Sequence, residues 1–202
     1  MGSPSGGCSD VSGLGHTAAK MDAMERSVLA AQVDAACRLS GEFLLRSGER
    51  SNEYFDKYLF ESNPTLLRNV CQAMVPLIPT GTDLLGGLEL GGVPLATVLS
   101  QITGLPTVFV RKQAKTYGTC RLAEGPDVAG RTVTLIEDVI TTGGAVRNAA
   151  LALRRGNAIV SNVICAIDRR TEPGGVLDDV SIAVLAVLTK GDLDGARLER
   201  RG

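Results

Sequence analysis

Apolar residues in the second half of the chain come in short continuous runs, and this pattern predicts buried strands separated by helices. From Asp83 onward the runs are bounded by Gly, Pro or charged residues. Strands that are apolar on both faces are typical of a parallel sheet covered by helices on both sides, since a half-exposed strand would alternate. The predicted strands cover residues 84–88, 107–110, 133–136, 159–167 and 180–188.

Helical signals lie between and before these strands. Apolar residues at steps of three and four in an Ala-rich stretch predict a packing or dimer helix over about residues 17–39. Asn63 followed by Pro64 has the form of an N-cap and a first helical residue, which predicts a helix to Leu77. Further helices are predicted after Gly92 and over residues 144–155.

The first half of the chain contains two shorter features. Residues 1–16 are rich in Gly and Ser and are expected to form a flexible leader, and the turn-rich residues 47–51 between short apolar runs predict a hairpin. We therefore expect a single domain over residues 17–202, with a hairpin hood at about 40–60 and a core at about 64–190.

Composition narrows the classes of function. The chain has 202 residues, a formal net charge of -1 and 3% aromatic residues, which argues against nucleic-acid binding. No apolar run approaches the roughly 18 to 20 residues of a membrane span. One histidine and five scattered cysteines argue against a histidine triad, a zinc site and a disulfide framework. We expect a cytoplasmic protein that binds neither nucleic acid nor a membrane.

One stretch combines the features of a sugar-phosphate site. The apolar residues 133–136 lead into two acids, Glu137 and Asp138, and residues 141–144 (TTGG) then begin a predicted helix. Glycine amides and threonine hydroxyls at a helix N-terminus bind phosphate dianions, while carboxylates accept hydrogen bonds from sugar hydroxyls. The order of these parts indicates a ribose 5-phosphate site. An ordinary Gly-rich turn beside solvated acids is the alternative interpretation.

The sequence LIEDVITTGGAV resembles the phosphoribosyl pyrophosphate (PRPP) motif of type I phosphoribosyltransferases. Over about residues 41–170 the chain is similar to the orotate phosphoribosyltransferase family, through GEFLLRSGERSNEYF, GLELGGVPLA, VRKQAKTYGTCRLAEG and AIDRR in that order. This resemblance implies an α/β type I phosphoribosyltransferase fold, a central parallel sheet flanked by helices with a small N-terminal hood. The implied reaction is transfer of the phosphoribosyl group of PRPP to orotate, giving orotidine 5′-monophosphate and pyrophosphate in de novo pyrimidine (UMP) biosynthesis.

The resemblance also implies the roles of individual residues. Ribose and its phosphate are expected at Glu137, Asp138, Val139, Ile140, Thr141, Thr142, Gly143, Gly144 and Ala145. Pyrophosphate departure is expected to depend on Lys112 in the same subunit and on Arg111 and Lys115 across a homodimer interface; with Asp138 these form the implied catalytic set. Orotate is expected at Arg169, Arg46, Tyr54 and Phe55. Mg²⁺ is expected mainly on PRPP oxygens, without a dedicated protein metal site.

Three positions depart from the family pattern. Arg46 stands where lysine is usual, and Tyr117 stands in the basic loop where histidine is common, so no proton-transfer role passes to Tyr117. Gly91 stands where some relatives carry a lysine toward the pyrophosphate, so any contact there has to come from backbone N–H groups.

Two other functions fit parts of the sequence. A phosphoribosyltransferase for another nucleobase would share the phosphate and ribose motif. A non-catalytic regulator that senses PRPP would also keep the fold, although the loop cations Arg111, Lys112 and Lys115 favour an enzyme.

Overall fold

The computed structural model describes residues 21–44, 48–112, 122–170 and 177–201. Its helices are α1 (Ala23–Cys37), α2 (Tyr58–Glu61), α3 (Pro64–Met74), α4 (Gly92–Thr103), α5 (Gly144–Arg155) and α6 (Lys190–Arg201). Its strands are β1 (Arg38–Leu44), β2 (Arg50–Phe55), β3 (Leu84–Leu88), β4 (Thr107–Val110), β5 (Ala123–Glu124), β6 (Thr132–Ile140), β7 (Ile159–Asp168) and β8 (Ala183–Thr189). Short 3-10 turns at Val75–Leu77 and Asp178–Val180 complete the described elements.

A six-stranded sheet organises the core, in the order β5-β4-β3-β6-β7-β8. All neighbouring pairs are parallel except β4 with the two-residue β5, which is antiparallel. The strand β6 lies between β3 and β7, and it is buried over almost its whole length. Because the parallel strands all end at one edge, the loops after β3, β4, β6 and β7 meet there.

Helices cover both faces of this sheet, as the continuous apolar strands predict. One face packs against α1, α3, α4 and α6, while α5 covers the opposite face. In the part of the chain that the structure describes, no helix has the length and apolarity to cross a bilayer. The central parallel sheet flanked by helices that the resemblance implies is confirmed, with one antiparallel edge strand added to it.

Most predicted elements are confirmed, although several begin or end at other residues than predicted. The Asn63 side chain caps α3 through the N–H groups of Thr65 and Leu66 at 3.1 Å, as the Asn-Pro pair predicts. The first helix begins at Ala23 because Asp22 and Glu25 form a capping box there. The last strand begins at Ala183 rather than at residue 180, since a 3-10 turn precedes it, and α6 has no counterpart among the predicted elements.

The predicted hairpin is the antiparallel pair β1–β2, and an ionic network ties it to two helices. Asp34 of α1 has no exposed surface and accepts from Arg38 at 2.6 Å and from Arg200 of α6. Glu53 of β2 pairs with Arg38 at 3.4 Å and with Arg197 of α6. These charges fix the hairpin, here called the hood, against α1 and α6.

Helix α4 begins in direct contact with the central strand. A Cβ atom at Gly92 would lie 2.2 Å from the carbonyl oxygen of Ile136 in β6. Both atoms belong to backbone that packing holds in place, so no side-chain rotation could relieve the overlap. Glycine at this position therefore lets α4 start beside the carboxyl edge of the sheet.

Gly92→Ala should destabilise the fold, because α4 or β6 has to move to admit the added methyl group. We expect the free energy of unfolding to fall by about 1–3 kcal/mol, the usual cost of overpacking. Chemical denaturation measures the change. Gly195→Ala in α6 is the matched control, since a Cβ there meets nothing within 4 Å and alanine favours the helix. Equal stability of Gly92→Ala and wild type would contradict this packing.

Candidate active site

Glu137 and Asp138 are the last buried acids of β6. Sequence predicts that the strand ends at Ile136, but β6 continues to Ile140 because the longer neighbour β7 pairs with it, Glu137 opposite Cys165 and Ile140 opposite Asp168. Both acids are buried, with exposed fractions of 7% for Glu137 and 0% for Asp138. The acid pair is therefore part of the sheet, at its carboxyl edge, rather than of the following loop.

Two residues that the sequence analysis does not single out complete this acidic cluster. Lys57, which precedes α2, contacts the Oδ2 atom of Asp138 through its ammonium group. Glu61, at the end of α2, is buried, and its Oε1 atom has no hydrogen-bond partner among the described residues. Lys57 and Glu61 follow the aromatic pair Tyr54-Phe55 and are four residues apart, a spacing that places both on one helical face. This spacing is the signal in the sequence that could have identified them.

Gly91 leaves the room that this cluster needs. A Cβ atom at Gly91 would lie 1.8 Å from Asp138 Oδ2 and 2.7 Å from Glu61 Oε1. The backbone after β3 thus packs directly against the carboxylate that Lys57 contacts. A side chain at position 91 would require Asp138 to move, so the glycine is explained by packing.

Burial and one ammonium group decide which carboxyls are ionised. Burial raises the pKa of Glu61 to about 8 and that of Glu137 to about 9, and in both the neighbouring Asp138 adds to the shift. Burial also opposes ionisation of Asp138, but hydrogen bonds from Glu137 and Lys57 lower its pKa below the ordinary value. Near pH 7 the cluster therefore holds one carboxylate, Asp138, beside one cation.

The loop after β6 presents backbone donors at the start of α5. Gly143 is the N-cap residue, in the left-handed conformation with φ 70° and ψ 1°, which explains a glycine there. Thr141, Thr142 and Ala145 are exposed. Among the described residues no group accepts from the N–H groups of Thr142, Gly143 or Gly144. Free amides at the positive end of a helix dipole form a site for an anion.

The hood reaches the end of β7 through Phe55. The Arg169 guanidinium carbon lies 5.2 Å from the centroid of the Phe55 ring, and that of Arg38 lies 6.0 Å away. Tyr54 is exposed on the other face of β2, where its ring lies 5.5 Å from that of Phe43. Phe55 and Arg169 are thus brought together, whereas Tyr54 is directed away from them by strand alternation. Arg46 lies outside the described residues.

Cations occupy the end of β4. Lys112 is exposed, and its backbone N–H donates to Glu89 Oε2 at 3.0 Å. The backbone N–H of Arg111 donates to the Leu122 carbonyl at 2.9 Å, while its buried Nε has no hydrogen-bond partner among the described residues. Lys115 and Tyr117 lie outside the described residues. Glu89, which sequence analysis also missed, holds the start of the basic segment at the end of β3.

Comparisons with known proteins agree with this geometry. Residues 62–184 match the model of the phosphoribosyl transferase domain. An orotate phosphoribosyltransferase of Nocardioides sp. is 64% identical over 171 residues, which is 85% of this chain and 96% of that protein.

Solved structures are similar as well. The orotate phosphoribosyltransferase of Mycobacterium tuberculosis H37Rv, in complex with Fe(III) dicitrate, has a TM-score of 0.73 and 29% identity, covering 84% of this chain and 98% of that one. The same enzyme in complex with PRPP has a TM-score of 0.71 and 26% identity, covering 84% of this chain and 99% of that one.

The raised pKa of Glu61 predicts that stability depends on pH. The folded state keeps a proton up to about pH 8 that the unfolded chain loses from about pH 4.5. The contribution of this group is therefore complete below pH 4.5 and is lost as the pH rises through 8.

We expect the free energy of unfolding of wild type to fall more steeply between pH 5.5 and 8 than that of Glu61→Gln, by up to about 1.4 kcal/mol per pH unit. Chemical denaturation across this range measures both slopes. The exposed Glu199 provides the control variant Glu199→Gln, which should keep the wild-type slope. Parallel slopes for wild type and Glu61→Gln would contradict a protonated Glu61.

Proposed function

The chain belongs to the phosphoribosyl transferase family, and within it to the orotate phosphoribosyltransferases; from that premise we propose how its residues transfer the phosphoribosyl group of PRPP to orotate. The products are orotidine 5′-monophosphate and pyrophosphate, and the reaction belongs to pyrimidine biosynthesis. The observation that carries the proposal is the meeting of buried acids, free helix-end amides, cations and an arginine–aromatic pair at one edge of the sheet.

The 5-phosphate of PRPP binds in the loop after β6, at residues 141–145. Two features support this role. Gly143 turns the chain into α5 and leaves the N–H groups at the start of the helix free. The positive end of the α5 dipole points toward the same loop. A phosphate dianion here would accept hydrogen bonds from the N–H groups that the first turn of the helix leaves unpaired. Val139 and Ile140 connect this loop to the ribose acids.

Glu137 and Asp138 hold the ribose. The reaction breaks the bond between C1 and the pyrophosphate oxygen, so positive charge develops on the ribose ring. The ionised Asp138 favours that charge, and the protonated Glu137 can donate a hydrogen bond as well as accept one. No side-chain nucleophile is required, because binding both substrates in line supplies much of the rate enhancement.

The departing pyrophosphate meets cations after β4. Lys112 acts in its own subunit, and Arg111 and Lys115 act across a homodimer interface. The exposure of Lys112 and the unpartnered Nε of Arg111 support a role for both toward an anion. Charge that accumulates on the leaving oxygen makes these contacts strongest in the transition state.

Orotate binds between the hood and the end of β7. The guanidinium group of Arg169 suits the orotate carboxylate or ring edge, and its contact with Phe55 supports a site for the base beside this pair. Arg46 is proposed to contact the same ligand, whereas Tyr54, on the opposite face of β2, is proposed to pack within the hood against Phe43. A hood that covers the substrates would also exclude water, which otherwise competes as the nucleophile.

Mg²⁺ accompanies PRPP in this proposal. Pyrophosphate and ribose oxygens beside Glu137 and Asp138 are proposed as its ligands, because a hard cation prefers such oxygens. When bound, the cation neutralises part of the charge on the leaving group.

Orotate absorbance tests the proposal directly. We expect purified dimeric protein with Mg²⁺ to consume orotate only when PRPP is present, and Asp138→Asn to lower that rate by about 100-fold or more while the fold is retained. Circular dichroism and the melting temperature check the fold of the variant. An unchanged orotate spectrum with active use of another nucleobase, or wild-type kinetics in Asp138→Asn, would contradict the proposal.

A further inference from the structure

Asp138 is covered on two sides in this structure. Its side chain has no exposed surface, whereas the Lys57 side chain that contacts it is 34% exposed. On the other side the backbone of Gly91 lies so close that a Cβ atom would overlap Oδ2. A ribose hydroxyl therefore cannot approach Asp138 Oδ2 while the ammonium of Lys57 remains on it.

The order of the strands tells where Lys57 lies relative to the substrate. Across the carboxyl edge, β4 ends at the cations Arg111 and Lys112, β3 ends next to Gly91, β6 carries the acids, and β7 ends at Arg169. In the proposed function these positions correspond to pyrophosphate, ribose and base in turn. Lys57 contacts Asp138 of β6 beside Gly91, which places its ammonium between the ribose and the pyrophosphate.

We propose that Lys57 is a further catalytic residue: when PRPP binds, its ammonium leaves Asp138 for the pyrophosphate, and ribose hydroxyls take its place on the carboxylate. This inference rests on the proposed function. The exchange needs no change of charge in the protein, because Asp138 stays ionised and receives hydroxyl hydrogen bonds.

Three properties of Lys57 suit the exchange. Its flexible four-carbon stem lets the ammonium move by several ångströms without movement of the backbone. Its side chain is 34% exposed although its ammonium contacts a carboxylate with no exposed surface, so the ammonium can leave Asp138 toward solvent. Gly91 has no side chain, so the loop after β3 brings only backbone to Asp138 Oδ2. The ammonium of Lys57 is therefore the cation at this position.

Breaking the ion pair between Lys57 and Asp138 costs free energy, and the new contacts with PRPP have to offset that cost. The pyrophosphate of PRPP offers oxygens with several negative charges, a better partner for an ammonium than a single carboxylate. Ribose 5-phosphate lacks the pyrophosphate, so its hydroxyls would displace Lys57 without giving it a new anion. The two ligands should therefore respond to removal of the ammonium in opposite directions.

Titration calorimetry with Lys57→Met tests the exchange. We expect the variant to bind PRPP with Mg²⁺ about tenfold or more weakly than wild type, because a hydrogen bond between charged groups is lost. We expect it to bind ribose 5-phosphate more tightly, because no ion pair has to open. Lys57→Arg keeps a cation and should bind PRPP closer to the wild-type affinity.

Arg131→Met is the matched control, since it removes a half-exposed cation from the opposite end of β6 and should change neither affinity. The exchange would be overturned if Lys57→Met bound PRPP and ribose 5-phosphate more weakly by the same factor. It would also be overturned if folded Lys57→Met bound PRPP with the wild-type affinity. Failure of the proposed function is seen separately, because wild type would then bind PRPP without consuming orotate. Should Lys57→Met fail to fold, Lys57→Gln replaces it as the variant without the ammonium. Weaker binding of PRPP with tighter binding of ribose 5-phosphate then supports the exchange, and any other result overturns it.

Discussion

The carboxylate of Asp138 has no exposed surface, and it keeps its charge because Glu137 donates a hydrogen bond to it and the ammonium of Lys57 lies against it. Most of the site depends on this ion pair. Glu61 and Glu137, buried beside the same carboxylate, have raised pKa values, so a cluster of three carboxyls carries one negative charge. Three ionised acids buried together would each carry a desolvation cost of several kcal/mol with only one ammonium group to offset it.

The fold creates the site by ending several strands at one edge. Parallel pairing brings the loops after β3, β4, β6 and β7 together, and each loop contributes a different chemistry. Glycine recurs where backbone has to approach closely or turn: Gly92 lies against β6, Gly91 lies against Asp138, and Gly143 turns the loop after β6. The ionic network around Asp34 and Glu53 then holds the hood over this edge, which brings Phe55 to Arg169.

Sequence alone predicts the parts of this structure that have local causes. The Asn63 cap, the apolar strands and the span of α5 follow from nearest neighbours and periodicity. The end of β6 does not, because β7 prolongs it by pairing from another part of the chain. Helix α6 buries only a narrow stripe, including Leu193 and Ala196, so its apolar signal is weak.

Some residues of the site can likewise be recognised in the sequence, whereas others are brought together only by the fold. The acid pair and the Gly/Thr loop are contiguous, so their chemistry is visible in the sequence. Lys57 is different, because its contact with Asp138 joins positions that α2 and β6 bring together only in the folded chain. The direction of Tyr54, away from Phe55 and Arg169, likewise follows from the pleat of β2 and could be read only from the strand itself.

A crystal structure with PRPP bound is the most direct test of the central claim, that a ribose phosphate lies where β6 passes into α5. The account predicts that 5-phosphate oxygens accept hydrogen bonds from the N–H groups of Thr142, Gly143 and Gly144, with the ribose hydroxyls on Glu137 and Asp138. A PRPP molecule whose 5-phosphate lies away from this loop, with Asp138 still bound to Lys57, would contradict it.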